Sequence, residues 1–175
     1  LRREDCAGRE AVIALDAAFR KDLFAKIVLV RDGDRAKVFS RCYCSEGFLE
    51  RKGMEQLQGW VAEGWIRTTP GDVLDIEAVR EDLRADLAHF DVREVAFDPW
   101  ALSQFAGEMM AECAPMVEVR SNVQNFSEPM KRLDAMVAGR ELEHQADPVL
   151  AWMISNVVCH RDVKDNIYPR KERDD

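Results

Sequence analysis

The chain lacks any apolar run long enough for a bilayer. Its longest, such as Ile27 to Val30, fall far short of the roughly 18 residues a membrane helix needs, so no membrane partner is expected. No basic segment followed by an apolar stretch opens the chain, and a secretory signal is not expected either. Cysteine is sparse and odd in number, with five residues at Cys6, Cys42, Cys44, Cys113 and Cys159. That spacing does not make a disulfide framework, and no second Cys or His pair completes a zinc set around Cys42 and Cys44. Reduced thiols in a cytoplasm are the expectation. No G-x-x-x-x-G-K-[ST] loop and no G-x-G-x-x-G loop occurs, which argues against ATP hydrolysis and dinucleotide binding by this chain. His89, His144 and His160 show no metal-binding spacing. Cys159 beside His160 is a poor nucleophilic pair, because neighbours on a strand point to opposite faces.

Positive charge is also in deficit. Lys and Arg number 25 against 33 Asp and Glu, a formal balance of −8. A sequence-tolerant DNA clamp built on a basic surface is therefore not expected. The balance leaves room for an enzyme that meets phosphates through metal ions held by carboxylates. The four Trp (Trp60, Trp65, Trp100 and Trp152) are scattered, which suits core packing better than a base-stacking platform.

What is present is an ordinary globular mix over 175 residues, 47% hydrophobic and 33% charged, the size of one domain. Val12 to Asp16, Leu23 to Val30 and Ala36 to Cys44 read as three consecutive antiparallel strands, the last two joined by Asp32-Gly33-Asp34. Met54, Leu57 and Val61 then give a short helix stopped by Gly64, and Trp65 to Thr68 a brief extended piece. Asp75 is placed to cap a helix whose apolar face is Ile76, Val79, Leu83, Leu87 and Phe90. Val92 to Asp98 is a strand that Pro99 cannot extend. A helix bearing Leu102, Phe105, Ala106 and Met109 follows, then a strand over Met116 to Val119. Ser127 is expected to cap a helix ending at Gly139, and Asp147-Pro148 to open another through about Asn156. Val157 to Cys159 and Ile167-Tyr168 are late extended pieces, and Arg170 to Asp175 is a charged tail. This order predicts an α/β fold, a mixed sheet with helices on its faces, the order of ribonuclease-H-like domains.

Asp16 and Asp98 each end an apolar strand. If those strands are neighbours, both carboxylates emerge at one sheet edge. Two acids held together raise each other's pKa, and a divalent cation relieves that repulsion. Two such ions suit phosphodiester cleavage. From spacing alone this signal is weak, since Asp at a strand end is common as a turn or cap residue. Asp22 reads as a hairpin turn residue or a weak metal ligand. Arg20 and Lys21 in the same turn read as solvated charges or phosphate contacts.

Several segments, in order, resemble the C-terminal nuclease domain of the large terminase subunit of tailed bacteriophages, HK97-type branch. They are Ala14-Leu15-Asp16 with Asp22; WVAEGWIRTTPG from Trp60 to Gly71, followed by Asp75-Ile76; VAFDPW from Val95 to Trp100; FSEPMKRLDAMV from Phe126 to Val137; the stretch Leu142 to Trp152 with His144 and Asn156; and Tyr168-Pro169-Arg170-Lys171. Ala17 stands where the family has a small polar residue. The resemblance implies a ribonuclease-H-like fold and a two-metal-ion endonuclease cutting concatemeric double-stranded DNA, with Asp16 and Asp98 as catalytic and metal-binding residues. It implies Mg²⁺ or Mn²⁺ (two ions), and Arg20, Lys21, Lys131 and Arg132 as candidate phosphate contacts. Implied partners are double-stranded DNA, the terminase ATPase domain, the small terminase subunit and the portal protein, in the cytoplasm of a bacterial host. Residues 1–10 are expected to be a linker remnant and residues 11–175 the nuclease domain, truncated before the family's third acidic motif unless Asp174 or Asp175 serves. The alternatives are an inactive docking module of the packaging motor and another ribonuclease-H-like nuclease, such as a junction resolvase.

Overall fold

The structure is a computed structural model that describes residues 1–51 and 53–170. The charged tail beyond, with Asp174 and Asp175, lies outside the described residues. Three strands open the fold: β1 (Glu10–Asp16), β2 (Phe24–Asp32) and β3 (Arg35–Ser45). They pair antiparallel in sequence order. Gly33 takes the left-handed conformation (φ +65°) that the tight β2–β3 turn requires. After the turn α1 (Glu46–Leu49) and helix α2 (Glu55–Ala62), β4 (Ile66–Thr69) returns parallel to the end of β3. Helix α3 (Ile76–His89) then carries the chain to β5 (Asp91–Phe97), parallel to β1 on its free side, and α4 (Pro99–Ala111) leads to β6 (Met116–Glu118), parallel to β5. The resulting order is β4-β3-β2-β1-β5-β6, the mixed sheet expected from the sequence. Helix α5 (Val123–Ala138), strand β7 (Leu142–His144), helix α6 (Pro148–Ser155) and the antiparallel pair β8 (Val158–Arg161) and β9 (Ile167–Arg170) complete the fold.

Alternation along β1 buries Ala11, Ile13 and Leu15 on one face and leaves Val12, Ala14 and Asp16 on the other. The buried face packs against Val79 and Leu83 of α3 and Leu102, Phe105, Ala106 and Met109 of α4. Each fully buried aliphatic side chain contributes about 1.5–3 kcal/mol, so this layer fixes β1 against β5. Asp75 caps α3 as expected, its carboxylate accepting from the Glu77 amide. A smaller cluster of Leu23, Cys42, Cys44, Phe48, Leu49, Leu57, Ile66 and Val149 holds α1, α2, β4 and α6. Burial there pushes the Cys42 thiol up to about 12, an inert thiol rather than a ligand.

One charged residue sits in the core face of β2. Lys26, 3% exposed, forms an ion pair with fully buried Asp86 of α3, and Arg3 reaches the same carboxylate. Before β1 the chain makes a 3₁₀ turn (Glu4–Cys6) with Cys6 buried, and the Gly8 amide donates to the His89 carbonyl.

Two expectations fail locally. Ser127 does not cap α5: Asn122 does, its side-chain oxygen accepting from the Asn125 amide, and the helix runs through Pro129. Ser127 is instead buried, and its hydroxyl accepts from the Ile167 amide, tying α5 to β9. Strand β7, absent from the sequence reading, pairs parallel with Ala36–Val38, so β3 hydrogen-bonds two successive strands along one edge.

Candidate active site at the ends of two parallel strands

The register of β1 against β5 pairs Ala14 with Ala96 and Leu15 with Phe97. The next residues in that register are Asp16 and Asp98, on strands about 4.8 Å apart. Both carboxylates line one cleft of about 430 Å³, floored by the small side chains of Ala14, Ala25 and Ala96 and walled by Ser121, Asn122, Phe126, Tyr168 and Pro169. The α3–α4 layer is on the far face of the sheet, so the cleft opens on the face that α5 and β9 only partly cover.

Asp98 has two structural partners. It is the N-cap of α4, with Oδ1 accepting from the Trp100 amide at 3.0 Å, and Pro99 occupies the first turn. Its Oδ2 accepts from the Ser121 hydroxyl at 2.8 Å. These contacts hold the Asp98 carboxyl below the usual carboxylate range: the Trp100 amide contributes most and the Ser121 hydroxyl next, with partial desolvation opposing them. The sequence reading expected mutual repulsion to raise the pair's pKa. For Asp98 the direction is the reverse, because donors from a helix N-terminus and a neighbouring loop meet the charged form. A carboxylate kept ionised near neutral pH is the form that ligates a cation.

The other predicted residues divide. Asp22 is a turn residue, accepting from the Leu23 amide at 2.8 Å. With exposed Arg20 and Lys21 it borders a depression that begins at Asp16. Lys131 pairs with Glu128 at 3.1 Å. Arg132 lies with Glu10, Val12, Leu29 and Glu141 near the start of β1, the opposite end from Asp16 and roughly 20 Å away for a strand of this length. It is therefore removed from the site. No His joins the cleft lining; His89 packs on Phe90 and His160 on Tyr168. Among the described residues no group of three or more His, Cys, Asp or Glu is disposed to hold a metal.

Sequence reasoning missed Ser121 and Asn122 and gave Phe126 no part in the site. The available signal for Ser121 and Asn122 was their place between β6, the strand beside β5, and the start of α5. Trp100 departs from the expected core packing: it is 96% exposed, whereas Trp60 and Trp65 pack on the smaller cluster and Trp152 rests on Trp60 with ring centres 5.6 Å apart.

An antiparallel three-strand meander continued by parallel strands, with acids at neighbouring strand ends, defines a ribonuclease-H-like domain. The chain is 27% identical over 164 residues to the terminase large subunit of Enterobacteria phage HK97, covering 90% of this chain and 32% of that protein. The crystal structure of the HK97 large terminase superposes with a TM-score of 0.82 at 26% identity, over 97% of this chain and 38% of that one. The large terminase nuclease from thermophilic phage G20c, solved with bound magnesium, shares the fold with a TM-score of 0.55 at 12% identity, over 97% of this chain and 77% of that one. The chain spans about a quarter to a third of the length of the curated relatives it matches. A family profile for the terminase large subunit endonuclease domain matches residues 2–175, and the chain belongs to that family. No helix among the described residues is long and apolar enough to cross a membrane.

Proposed function

We propose that this domain hydrolyses phosphodiester bonds of double-stranded DNA, with Asp16 and Asp98 as its catalytic and metal-binding carboxylates. The observation that carries the reading is the β1–β5 register, which sets these two acids side by side at the rim of one cleft. The donor set fits a hard cation: Mg²⁺ is commonly bound by one or two carboxylates, with water and substrate phosphate filling the remaining positions. A bound divalent ion supplies a water of lowered pKa and charge for the phosphoryl oxygens, and two ions would clamp both attacking and leaving oxygens. That the G20c nuclease was solved with magnesium supports this choice. Asp98 contributes an ionised, oriented carboxylate, with Ser121 and the Trp100 amide fixing its two oxygens. Asp16 faces it from β1, and the alanine floor leaves room for a backbone phosphate. Arg20 and Lys21 beside Asp16, and Arg120, whose charge acts on Asp98, supply local positive charge in a domain that is acidic as a whole, so DNA affinity without metal is low and weakens further as salt rises.

Within a complete large subunit the domain would follow an ATPase domain, with residues 1–10 as linker and residues 11–175 as the nuclease. It would cut concatemeric DNA in the bacterial cytoplasm, alongside the small terminase subunit and the portal.

The test is conversion of supercoiled plasmid to nicked and linear forms in Mn²⁺ or Mg²⁺, with chelator as control. Wild type cuts, and Asp98→Ala keeps its fold and does not. Equal cutting by the variant refutes the assignment. A preference for synthetic four-way junctions over linear duplex would indicate a resolvase. A wild-type chain that cuts nothing, yet binds a packaging protein, would be a docking module.

A further inference from the structure

We infer that residues 3–9 form a latch: Arg3, seated on the buried carboxylate of Asp86, clasps the segment before β1 across the junction of α3 and β5. The rigid unit of this domain then begins at Arg3 and not at Glu10, within the stretch expected from the sequence to be a linker. The inference goes beyond the nuclease reading and does not depend on it. Arg3 Nη2 donates to Asp86 Oδ1 and Lys26 Nζ to Oδ2. The two oxygens of a fully buried carboxylate are thus met by one cation from β2 and one from this segment. The Arg3 guanidinium also lies 5.0 Å from the centre of the Phe90 ring. Backbone contacts repeat the clasp. The Arg3 carbonyl is 3.1 Å from His89 Nε2, the Gly8 amide donates to the His89 carbonyl at 2.8 Å, and the Asp91 amide donates to the Arg9 carbonyl at 2.9 Å. Between these points Cys6 is 0% exposed and belongs to the main core cluster. Gly8 takes the left-handed conformation (φ +69°) that turns the segment into β1.

The two cations on Asp86 differ in how they can leave. Lys26 is 3% exposed and comes from the middle of β2. The Arg3 side chain is 36% exposed, at the rim of the core, on a segment that no strand pairing holds before Glu10. Without Arg3, one oxygen of a buried carboxylate loses its cation, which is costly. Opening is therefore local: the segment lifts away with Arg3, the sheet stays paired, and Cys6 is uncovered. The latch also decides where a pull on the chain ahead of this domain would act in a longer large subunit. Closed, it passes the pull to Asp91 at the foot of β5, the strand whose other end leads into Asp98. Open, it lets residues 3–9 take up the movement first.

The experiment alkylates the folded protein with iodoacetamide and follows each cysteine by peptide mass spectrometry in wild type, Arg3→Lys and Arg3→Ala. Cys113 and Cys159 are exposed, and Cys6, Cys42 and Cys44 are buried, so every molecule carries its own fast and slow references. In wild type the expected result is rapid modification at Cys113 and Cys159 alone. In Arg3→Ala, Cys6 should react at least about tenfold faster than in wild type, with Cys42 and Cys44 still protected. Arg3→Lys, which keeps a cation, should fall between. Wild-type Cys6 reacting as fast as Cys113 overturns the inference, because the segment is then a mobile linker. Cys6 protected equally in Arg3→Ala and wild type overturns it as well, because Arg3 then holds nothing in place. So does Cys6 gaining reactivity only together with Cys42 and Cys44, since the segment would then open only when the whole domain unfolds. Plasmid cutting enters none of these readouts. Failure here therefore leaves the nuclease reading standing, and a chain that cuts no DNA leaves this inference standing.

Discussion

Asp98 does two jobs that a single substitution can separate. Its Oδ1 caps α4 and its charge faces the cleft. Asn keeps an oxygen acceptor for the Trp100 amide, and Asn and Asp rank together as N-caps. Asp98→Asn should therefore melt within about 2 °C of wild type. Asp98→Ala removes the cap, which costs about 0.5–2 kcal/mol. At about 2–4 °C per kcal/mol for a domain of this size, that is a drop of roughly 1–8 °C. Both variants remove the charged ligand. Loss of an outer-shell partner alone typically costs 10–100-fold, so loss of a direct ligand should lower plasmid cutting by at least about 100-fold in each. The two readouts thus rank the variants differently: stability as wild type ≈ Asn > Ala, activity as wild type ≫ Asn ≈ Ala. The pH dependence has a definite sign. The folded carboxyl lies below its unfolded value, so its stabilisation is present above the unfolded pKa near 3.9 and is lost as pH falls through the folded one. The charge-dependent part of the wild-type advantage over Asp98→Asn should therefore begin to shrink as pH falls below about 4 and disappear only below the folded pKa. Near-normal cutting by Asp98→Asn, followed by gel assay alongside circular-dichroism melts, would refute the argument.

Three further outcomes follow from the same structure. Ser121→Ala removes one of the donors that hold down the Asp98 pKa, so the acidic limb of the activity profile should move to higher pH with little change in melting; an unmoved limb would remove Ser121 from the site. Asp86→Asn leaves Lys26 buried without its counter-charge, which should cost about 3–5 kcal/mol. Burial already lowers the Lys26 pKa and Asp86 opposes that, so the variant sheds the lysine proton at lower pH than wild type. Its deficit in urea melts should shrink as pH rises above neutrality, and a deficit that grows would contradict the assignment. Asp147→Ala removes the cap of α6, whose carboxylate accepts from the Val149 and Leu150 amides and from Ser40; a loss of about 1–3 kcal/mol is expected, measured by the same melts without change in cutting per folded molecule.

The strands around the site were legible because alternation and the Asp-Gly turn act locally. Asp16 and Asp98 stood out as acids closing apolar runs, and Asp75 and Asp147 as caps. The residues that complete the site left weaker traces. Ser121 matters only because β6 lies beside β5, a pairing set by the α4 crossover and not by neighbouring residues. The start of α5 was misplaced because Ser127 and Pro129 resemble an N-terminus, while Asn122, an equally good cap, sits four residues before Phe126 and begins the helix earlier. A strand of three residues such as β7 carries too little periodicity to detect. Lys26 was visible as one charge in an apolar strand, but its partner Asp86 lies on a helix that only the finished fold brings near. Trp100 was assigned to the core because the four Trp are scattered along the chain, whereas the apolar stripe of its own helix already excludes it.

The join between β1 and β5 has a bearing on when cutting can begin. Between the two acids along the chain lie β2 to β5 and three helices, and nothing local holds them together. A chain in which β1 and β5 have not paired possesses both residues but no shared pocket between them. On the nuclease reading proposed above, an unfinished molecule would hold both acids without the pocket that cleavage needs, because that pocket depends on long-range strand pairing.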